Sequence, residues 1–403
     1  MNVIYADNNA TTCVAPEVVT AMQPYFGECY FNPSSMYAAA KEAASAIATA
    51  RQQVATALGA ADAQEITFTS CATESNNHAI FGSLRMLSQI APERREVITT
   101  KVEHPAVLEV CHQLERDGYT VHWLDVDAHG NLDVRDFIRA LSPGHTALVS
   151  IMHANNETGV LFPIEQLSRL TKETDPAILF HTDATQSVGK QWIHLSENFA
   201  HVDMLSFSGH KIHAPKGIGV LYMRRGTPCR PFLIGGHQEH GRRAGTENVP
   251  YIVGLGVAVA LAMQTLEADE SRVAQLRTQF EDELLRRIPS IQINGYQATR
   301  LPGTTNVSCW SIEGESMLME LNTHGICASS GSACTSGSLE PSHVLRAMSV
   351  PLGAIGGSIR FSFSRYTTQD NIDHILDTFP QIVSNLRASS PFWNATEQKP
   401  TIE

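Results

Sequence analysis

The stretch Ser206-Phe207-Ser208-Gly209-His210-Lys211-Ile212-His213-Ala214-Pro215-Lys216-Gly217 leaves an apolar run, passes through small hydrogen-bonding residues and reaches a lysine. The run 202–207 reads as a strand buried on both faces, and Gly209 and Pro215 mark the loop that ends it. A lysine in a partly desolvated pocket at such a loop sheds its proton readily and can form a Schiff base. Ser208 and His210, just before it, are suited to holding a phosphate. Taken alone, the bland alternative is a surface lysine after a turn.

Working outward, six further β-rich runs occupy 65–69, 96–100, 119–124, 146–152, 178–182 and 219–223, several of them continuously apolar. Helical patterns such as 75–90 and 106–117 lie between them. Alternation of this kind predicts an α/β chain with a mostly parallel, helix-covered sheet of seven strands. Ligands in such sheets sit beyond the carboxyl ends of the strands. A long helical segment, 249–287, then leads into an α+β pattern with strands at 304–308 and 358–363 and helices near 316–323 and 370–387. The expected division is a large domain, 13–263, and a smaller one from 1–12 and 264–393, with a polar, frayed tail at 394–403.

At 403 residues the chain exceeds the usual size of a single core, which agrees with two domains. Its net charge of −12 argues against nucleic acid and anionic membrane surfaces as partners. The first residues lack a signal-peptide pattern and no apolar run reads as a membrane span, so a cytoplasmic protein is expected.

Two more strand ends carry chemistry. Phe180-His181-Thr182-Asp183-Ala184-Thr185-Gln186 places an acid directly after an apolar run, where Asp183 could pair with a protonated pyridine nitrogen. Ser70-Cys71-Ala72-Thr73-Glu74-Ser75-Asn76-Asn77 opens a helix, and its small and hydroxyl residues could form an anion site there. The plain alternative for Thr73 is a helix N-cap. Phosphate cradle, acid and lysine, each at a strand end, together describe a pyridoxal 5'-phosphate (PLP) site. No Gly-x-x-x-x-Gly-Lys-Ser/Thr follows a strand, which excludes a P-loop.

The eight cysteines form no Cys-x-x-Cys pair, so zinc ribbons are disfavoured, and most read as buried packing residues. Cys334 differs. It lies in Ala328-Ser329-Ser330-Gly331-Ser332-Ala333-Cys334-Thr335-Ser336-Gly337-Ser338, without a large apolar neighbour. His237-Gln238-Glu239-His240 has metal-like spacing, but flanking glycines make it a loop rather than a ligand-bearing helix.

These motifs together resemble the cysteine desulfurases, class-V aminotransferase-like PLP enzymes of fold type I, and most of all their nitrogen-fixation (NifS-like) type. The resemblance runs from Ala6-Asp7-Asn8-Asn9-Ala10-Thr11-Thr12 to about Trp393. It includes Glu103-His104-Pro105-Ala106-Val107, Ala154-Asn155-Asn156-Glu157-Thr158-Gly159, Gly241-Arg242-Arg243-Ala244-Gly245-Thr246-Glu247-Asn248 and the Cys334 segment through His343. It implies that Lys211 carries PLP, Asp183 pairs with the pyridine nitrogen, Gln186 meets the ring hydroxyl, and His104 stacks on the ring and helps move protons. Ala72, Thr73, Ser208 and His210 would hold the phosphate, with Thr246 of the partner subunit completing the site of an obligate homodimer.

The resemblance further implies that Asn156 and Arg360 bind the carboxylate of L-cysteine. A guanidinium fork suits a carboxylate, although a structural salt bridge is the competing account for an arginine in an apolar strand. Cys334 would take the substrate sulfur as a persulfide, releasing alanine, and pass it to an iron–sulfur scaffold protein. Cys334 could also serve as a transient ligand of a nascent cluster. Two stretches depart from the family pattern, Phe31-Asn32-Pro33-Ser34-Ser35-Met36-Tyr37 and Ala354-Ile355-Gly356-Gly357-Ser358-Ile359-Arg360. Neither removes a residue with an assigned role. Alternatives are a housekeeping desulfurase, a selenocysteine lyase or other β-eliminating enzyme, and a non-catalytic sulfur or metal scaffold.

Overall fold

The computed structural model describes residues 3–330 and 341–401. A short N-terminal strand, β1 (Ile4–Tyr5), precedes the central sheet, whose strands are β2 (Ile66–Thr69), β3 (Glu96–Thr100), β4 (Thr120–Leu124), β5 (Thr146–Ser150), β6 (Leu179–Asp183), β7 (Met204–Ser208) and β8 (Gly219–Met223). The spatial order is β2-β8-β7-β6-β5-β3-β4. Strands β4, β3, β5, β6 and β7 run parallel, while β8 lies antiparallel to both β7 and β2. Strand β2 therefore points the same way as β7, so the carboxyl ends of six strands meet at one edge. The seven strands and the mostly parallel sheet agree with the sequence pattern.

Alternate residues face opposite ways along a strand, and here both faces are covered. Val149, Phe180, Leu205, Phe207 and Val220 belong to the core formed with the helices Ala38–Leu58 and Val249–Arg287. Leu148, Leu179, Met204 and Leu221 belong to a second core with Leu84, Val107, Val110 and Leu114 on the other side. The helix Val249–Arg287 is apolar and long enough to pass for a membrane span, but 14 of its residues are buried inside the protein, where it packs on the sheet and on Ala38–Leu58.

The second sheet is antiparallel, ordered β12-β13-β10-β9 from β9 (Ile291–Ile293), β10 (Thr304–Cys309), β12 (Ser329–Ser330) and β13 (Ser358–Ser362). Strand β11 (Ile326–Cys327) pairs in parallel with β1, which draws the N-terminal segment onto this unit. Its core centres on Phe280, Phe361, Phe363 and Phe379, whose rings meet edge-on 5.1–5.4 Å apart. Edge-to-face contacts of this sort add about 0.5–1.5 kcal/mol beyond area burial.

Three expectations need correction. The tail is not frayed: Trp393–Asn394 pairs antiparallel with Lys399–Pro400, and the Arg387 guanidinium lies 4.0 Å over the Trp393 ring. An aromatic anchor with a cation on its face offsets the polarity of the surrounding residues. Of the seven described cysteines only Cys111 and Cys309 are buried; Cys13 is exposed and the other four are half-buried. The helix near 72 starts after an extended Cys71, so Thr73 sits inside its first turn rather than at the N-cap.

Candidate active site

Five strand ends supply the site. After β2 the helix Ala72–Asn77 begins, and the Ala72 N–H donates to Ser208 Oγ at the end of β7 (2.8 Å). That bond ties two segments 136 residues apart and leaves the helix N-terminus facing a cavity of about 390 Å³. Cys71, Ala72, Thr73, Ser208 and His210 form one end of this cavity. Burial and the nearby lysines push His210 down to about 4, so its ring is neutral, and its Nδ1 lies 3.1 Å from Thr11 Oγ1.

Asp183 ends β6 and projects into the same cavity. Asn76 Nδ2 donates to its Oδ2 at 2.7 Å, and the Thr185 N–H donates to its Oδ1 at 2.9 Å. Behind it, His181 is wholly buried between the hydroxyls of Ser150 and Ser206, each 2.9 Å away, and burial pushes it down to about 4. A neutral ring there leaves the Asp183 carboxylate as the negative group at the cavity wall.

His104 follows β3 as the N-cap of the helix Pro105–Arg116, with Nδ1 accepting the Ala106 N–H at 3.1 Å. That acceptor role places the ring proton on Nε2. Burial lowers the His104 pKa, Asp183 raises it, and Lys211 lowers it. The preceding Glu103 is fully buried, accepting from Met152 N (3.0 and 3.1 Å) and Thr100 Oγ1 (2.8 Å); burial pushes it up to about 8. Glu103 thereby pins the loop after β5 against the one after β3.

Lys211 ends the turn after β7, and its Nζ donates to the carbonyl oxygens of Asn9 (2.6 Å) and Ala10 (2.7 Å). The N-terminal segment reaches it because Asn8 and Asn9 bond the end of β13: Asn8 Nδ2 to Ser362 O (2.8 Å) and Asn9 N–H to Ser362 Oγ (2.9 Å). Gln186 also lines the cavity, donating from Nε2 to Asn9 O at 2.9 Å.

Arg360 enters from β13 with its side chain 4 % exposed. It donates from Nη1 to the Asn156 main-chain oxygen (2.9 Å) and from Nη2 to Asp7 Oδ1 (2.8 Å). The salt bridge anticipated as a competing account is therefore present. Yet two of five N–H groups are spent this way, and its buried Nε lacks a partner among the described residues. Asn156 and Arg360 border the same cavity as Lys211 and Asp183.

Thr246 is exposed and does not line the cavity of the single chain. Cys334 lies outside the described residues. The His237–His240 loop holds no metal cluster among the described residues; its Glu239 makes a bidentate ion pair with Arg51 at 2.6 and 2.8 Å. Sequence reasoning gave no role to Asp7, Asn9, Asn76, Glu103 or Lys190. Asn76 carried a signal, since an asparagine within a helix is disfavoured unless its amide has other work.

The residues fit PLP on the structure's own terms. A carboxylate, a lysine and a helix N-terminus converge on one cavity. The buried Thr185 Oγ1 and Arg360 Nε, both on its wall, lack partners among the described residues.

The fold and this site define a class, and the sequence pattern of the aminotransferase class-V family matches residues 4–375. The chain belongs to that family, whose enzymes depend on PLP. It is 57% identical over 394 residues to a cysteine desulfurase of Trichormus azollae, covering 98% of this chain and 96% of the relative. It is 52% identical to the cysteine desulfurase NifS of Azotobacter vinelandii, over 97% and 95% of the two chains. A solved NifS-like protein superposes with a TM-score of 0.87 at 37% identity, covering 96% of this chain and all of that one.

Proposed function

We propose that this chain is a cysteine desulfurase that removes sulfur from L-cysteine, releases L-alanine and carries the sulfur on Cys334. The observation that carries this reading is the meeting of Lys211, Asp183 and Arg360 at one cavity beside a helix N-terminus. Lys211 would hold PLP, with Asp183 at the pyridine nitrogen, Gln186 at the ring hydroxyl, and Ala72, Thr73, Ser208 and His210 at the phosphate. When bound, the cofactor supplies an electron sink that weakens the substrate's bond between Cβ and sulfur.

The protein's own groups account for the remaining steps. Arg360 receives the substrate carboxylate on its unspent N–H groups, with Asn156 beside it. The Lys211 amine moves a proton at the substrate α-carbon, and the neutral His104 ring offers Nε2 for a second transfer. The Cys334 thiolate attacks the substrate sulfur: an S–S bond forms as the C–S bond breaks, and Cβ takes up a proton to give alanine. The persulfide then passes to a thiol of a scaffold protein that builds iron–sulfur clusters, with Cys334 a transient cluster ligand. We place this activity in nitrogenase maturation in the cytoplasm, in a homodimer whose Thr246 reaches the partner's phosphate site. Likeness to a relative bearing the NifS name supports the maturation role.

The test is an absorbance spectrum of the PLP-reconstituted protein before and after L-cysteine, with alanine and sulfide measured. A near-UV to visible band that responds to cysteine, and a Cys334→Ser variant that keeps the band but loses sulfur transfer, is the expected result. Absence of the band would end this reading. Full desulfuration by Cys334→Ser would point instead to a β-eliminating enzyme.

A further inference from the structure

Lys190 has no role in the chemistry above, yet it is wired to it. Its Nζ donates to Gln186 Oε1 at 3.1 Å, and Gln186 Nε2 donates to the Asn9 carbonyl at 2.9 Å. That carbonyl also accepts from Lys211 Nζ at 2.6 Å. A continuous chain of hydrogen bonds thus runs Lys190, Gln186, Asn9, Lys211. A carbonyl oxygen only accepts, so the Gln186 amide nitrogen must face Asn9 and its oxygen must face Lys190. One amide N–H goes to Asn9, which leaves the second for the cavity that Gln186 lines.

The charges around Lys190 sharpen its effect. Lys190 and Lys211 share a second hollow, lined also by His213, Asp269, Glu270 and Arg365. Both carboxylates there have other partners: Asp269 lies 3.4 Å from Arg365 and accepts from Thr265 at 2.6 Å, while Glu270 accepts from Gln191 at 2.9 Å. Burial pushes His213 down to about 4, so it brings no charge near neutrality. Lys190 is itself pushed down to about 7, by burial first and then by the charges of Lys211 and Arg360. Below that pH its ammonium feeds an amide oxygen rather than a carboxylate. A charge-assisted bond of this kind polarises the amide and strengthens its N–H groups as donors.

We propose that Lys190 is a positioning residue: it locks the Gln186 side chain and polarises it, so that the second amide N–H is presented to an anionic oxygen of the cofactor ring beside Lys211. The inference rests on the reading of Gln186 as the partner of the PLP ring hydroxyl.

The experiment compares holoenzymes carrying Lys190→Met, Lys190→Arg and Gln186→Leu. Two quantities are read: the pH midpoint of the bound cofactor's absorbance and the rate at which PLP is lost on dilution. Loss of a nearby cation and of a polarised donor should move the Lys190→Met midpoint upward and speed PLP loss about two- to tenfold, the range one hydrogen bond commands. Lys190→Arg, another donor-only cation, should stay near the parent. Should Lys190→Met not fold, Lys190→Gln replaces it, keeping a donor but no charge, and the midpoint must still rise. An unchanged midpoint in the Lys190 variants, with a shifted one in Gln186→Leu, overturns the role of Lys190 alone. An unchanged Gln186→Leu overturns the reading of Gln186 beneath it.

Discussion

Replacing Arg360 by lysine tests the substrate side of the site. The arginine is 4 % exposed and divides its fork, one N–H to Asp7 and one to the Asn156 carbonyl, while Nε and the rest of the fork stay unspent. A lysine ammonium can keep the ion pair with Asp7, so that half-buried carboxylate should not be left unpaired. Three donors on one nitrogen cannot also satisfy Asn156 and grip a carboxylate side by side. One charge-assisted bond to the substrate is therefore lost, about 1.5–3 kcal/mol. That converts to a fall in kcat/KM of about 10- to 150-fold. Because the carboxylate is held alike in ground and transition states, most of the loss should appear in KM. Steady-state alanine release against L-cysteine concentration measures it, with melting of the cofactor-free protein as the folding control. A kcat/KM within about threefold of the parent, in a folded variant, would falsify the assignment and leave Arg360 a purely structural ion pair.

Other perturbations follow from the same contacts. Asn76→Ala removes the 2.7 Å donor to Asp183 and should weaken PLP retention by about tenfold, read by equilibrium dialysis; unchanged retention would count against Asp183 as the ring-nitrogen partner. Glu239→Ala strands Arg51, whose side chain is 10% exposed, and should cost about 3–5 kcal/mol in a urea titration. An unmoved midpoint there would refute the buried-pair account. Glu103 is protonated in the native state up to about pH 8 but ionised from about 4.5 when unfolded, so its contribution is complete below 4.5 and lost as pH rises through 8. Buried histidines such as His153, pushed to about 4, act with opposite sign, but only between about 4 and 6.5. From pH 6.5 to 8 the parent should therefore lose up to about 2 kcal/mol more stability than Glu103→Gln, and parallel curves for the two would contradict it.

Much of the fold was legible because strands buried on both faces leave continuous apolar runs, as at Leu179-Phe180 in parallel β6 and Val220-Leu221 in antiparallel β8. The long helix Val249–Arg287 agrees with the approximate bounds read from the sequence, because its one proline, Pro250, lies in the first turn, where a helix tolerates it. Strand ends were less exact: Asp183 and Ser208 lie within their strands, since ladder bonds extend past the apolar residues. The paired tail was missed because its anchor, Arg387 over Trp393, joins a helix to residues beyond it. Of the site, Lys211 and Asp183 could be picked out by their place at strand ends, whereas Arg360, whose guanidinium fork suited a carboxylate, had a structural ion pair as the competing account.

The sequence alone determined the local chemistry: which runs form strands, to within a residue or two where the site strands end, and that a lysine, an acid and a phosphate-suited turn stand near those ends. These are short-range properties, set by side-chain alternation and by the breaking power of glycine and proline. Tertiary structure decided which of these groups share a cavity and what each one is bonded to. Asp7 and Arg360 are 353 residues apart and meet because β1 pairs with β11 while β12 and β13 carry Arg360 to the same edge. The line from Lys190 through Gln186 and Asn9 to Lys211 exists because β13 holds the N-terminal segment across the mouth of the central sheet. Contacts of that range depend on strand register and on the burial that makes an unmet polar group costly, and neither is written in any local stretch of sequence.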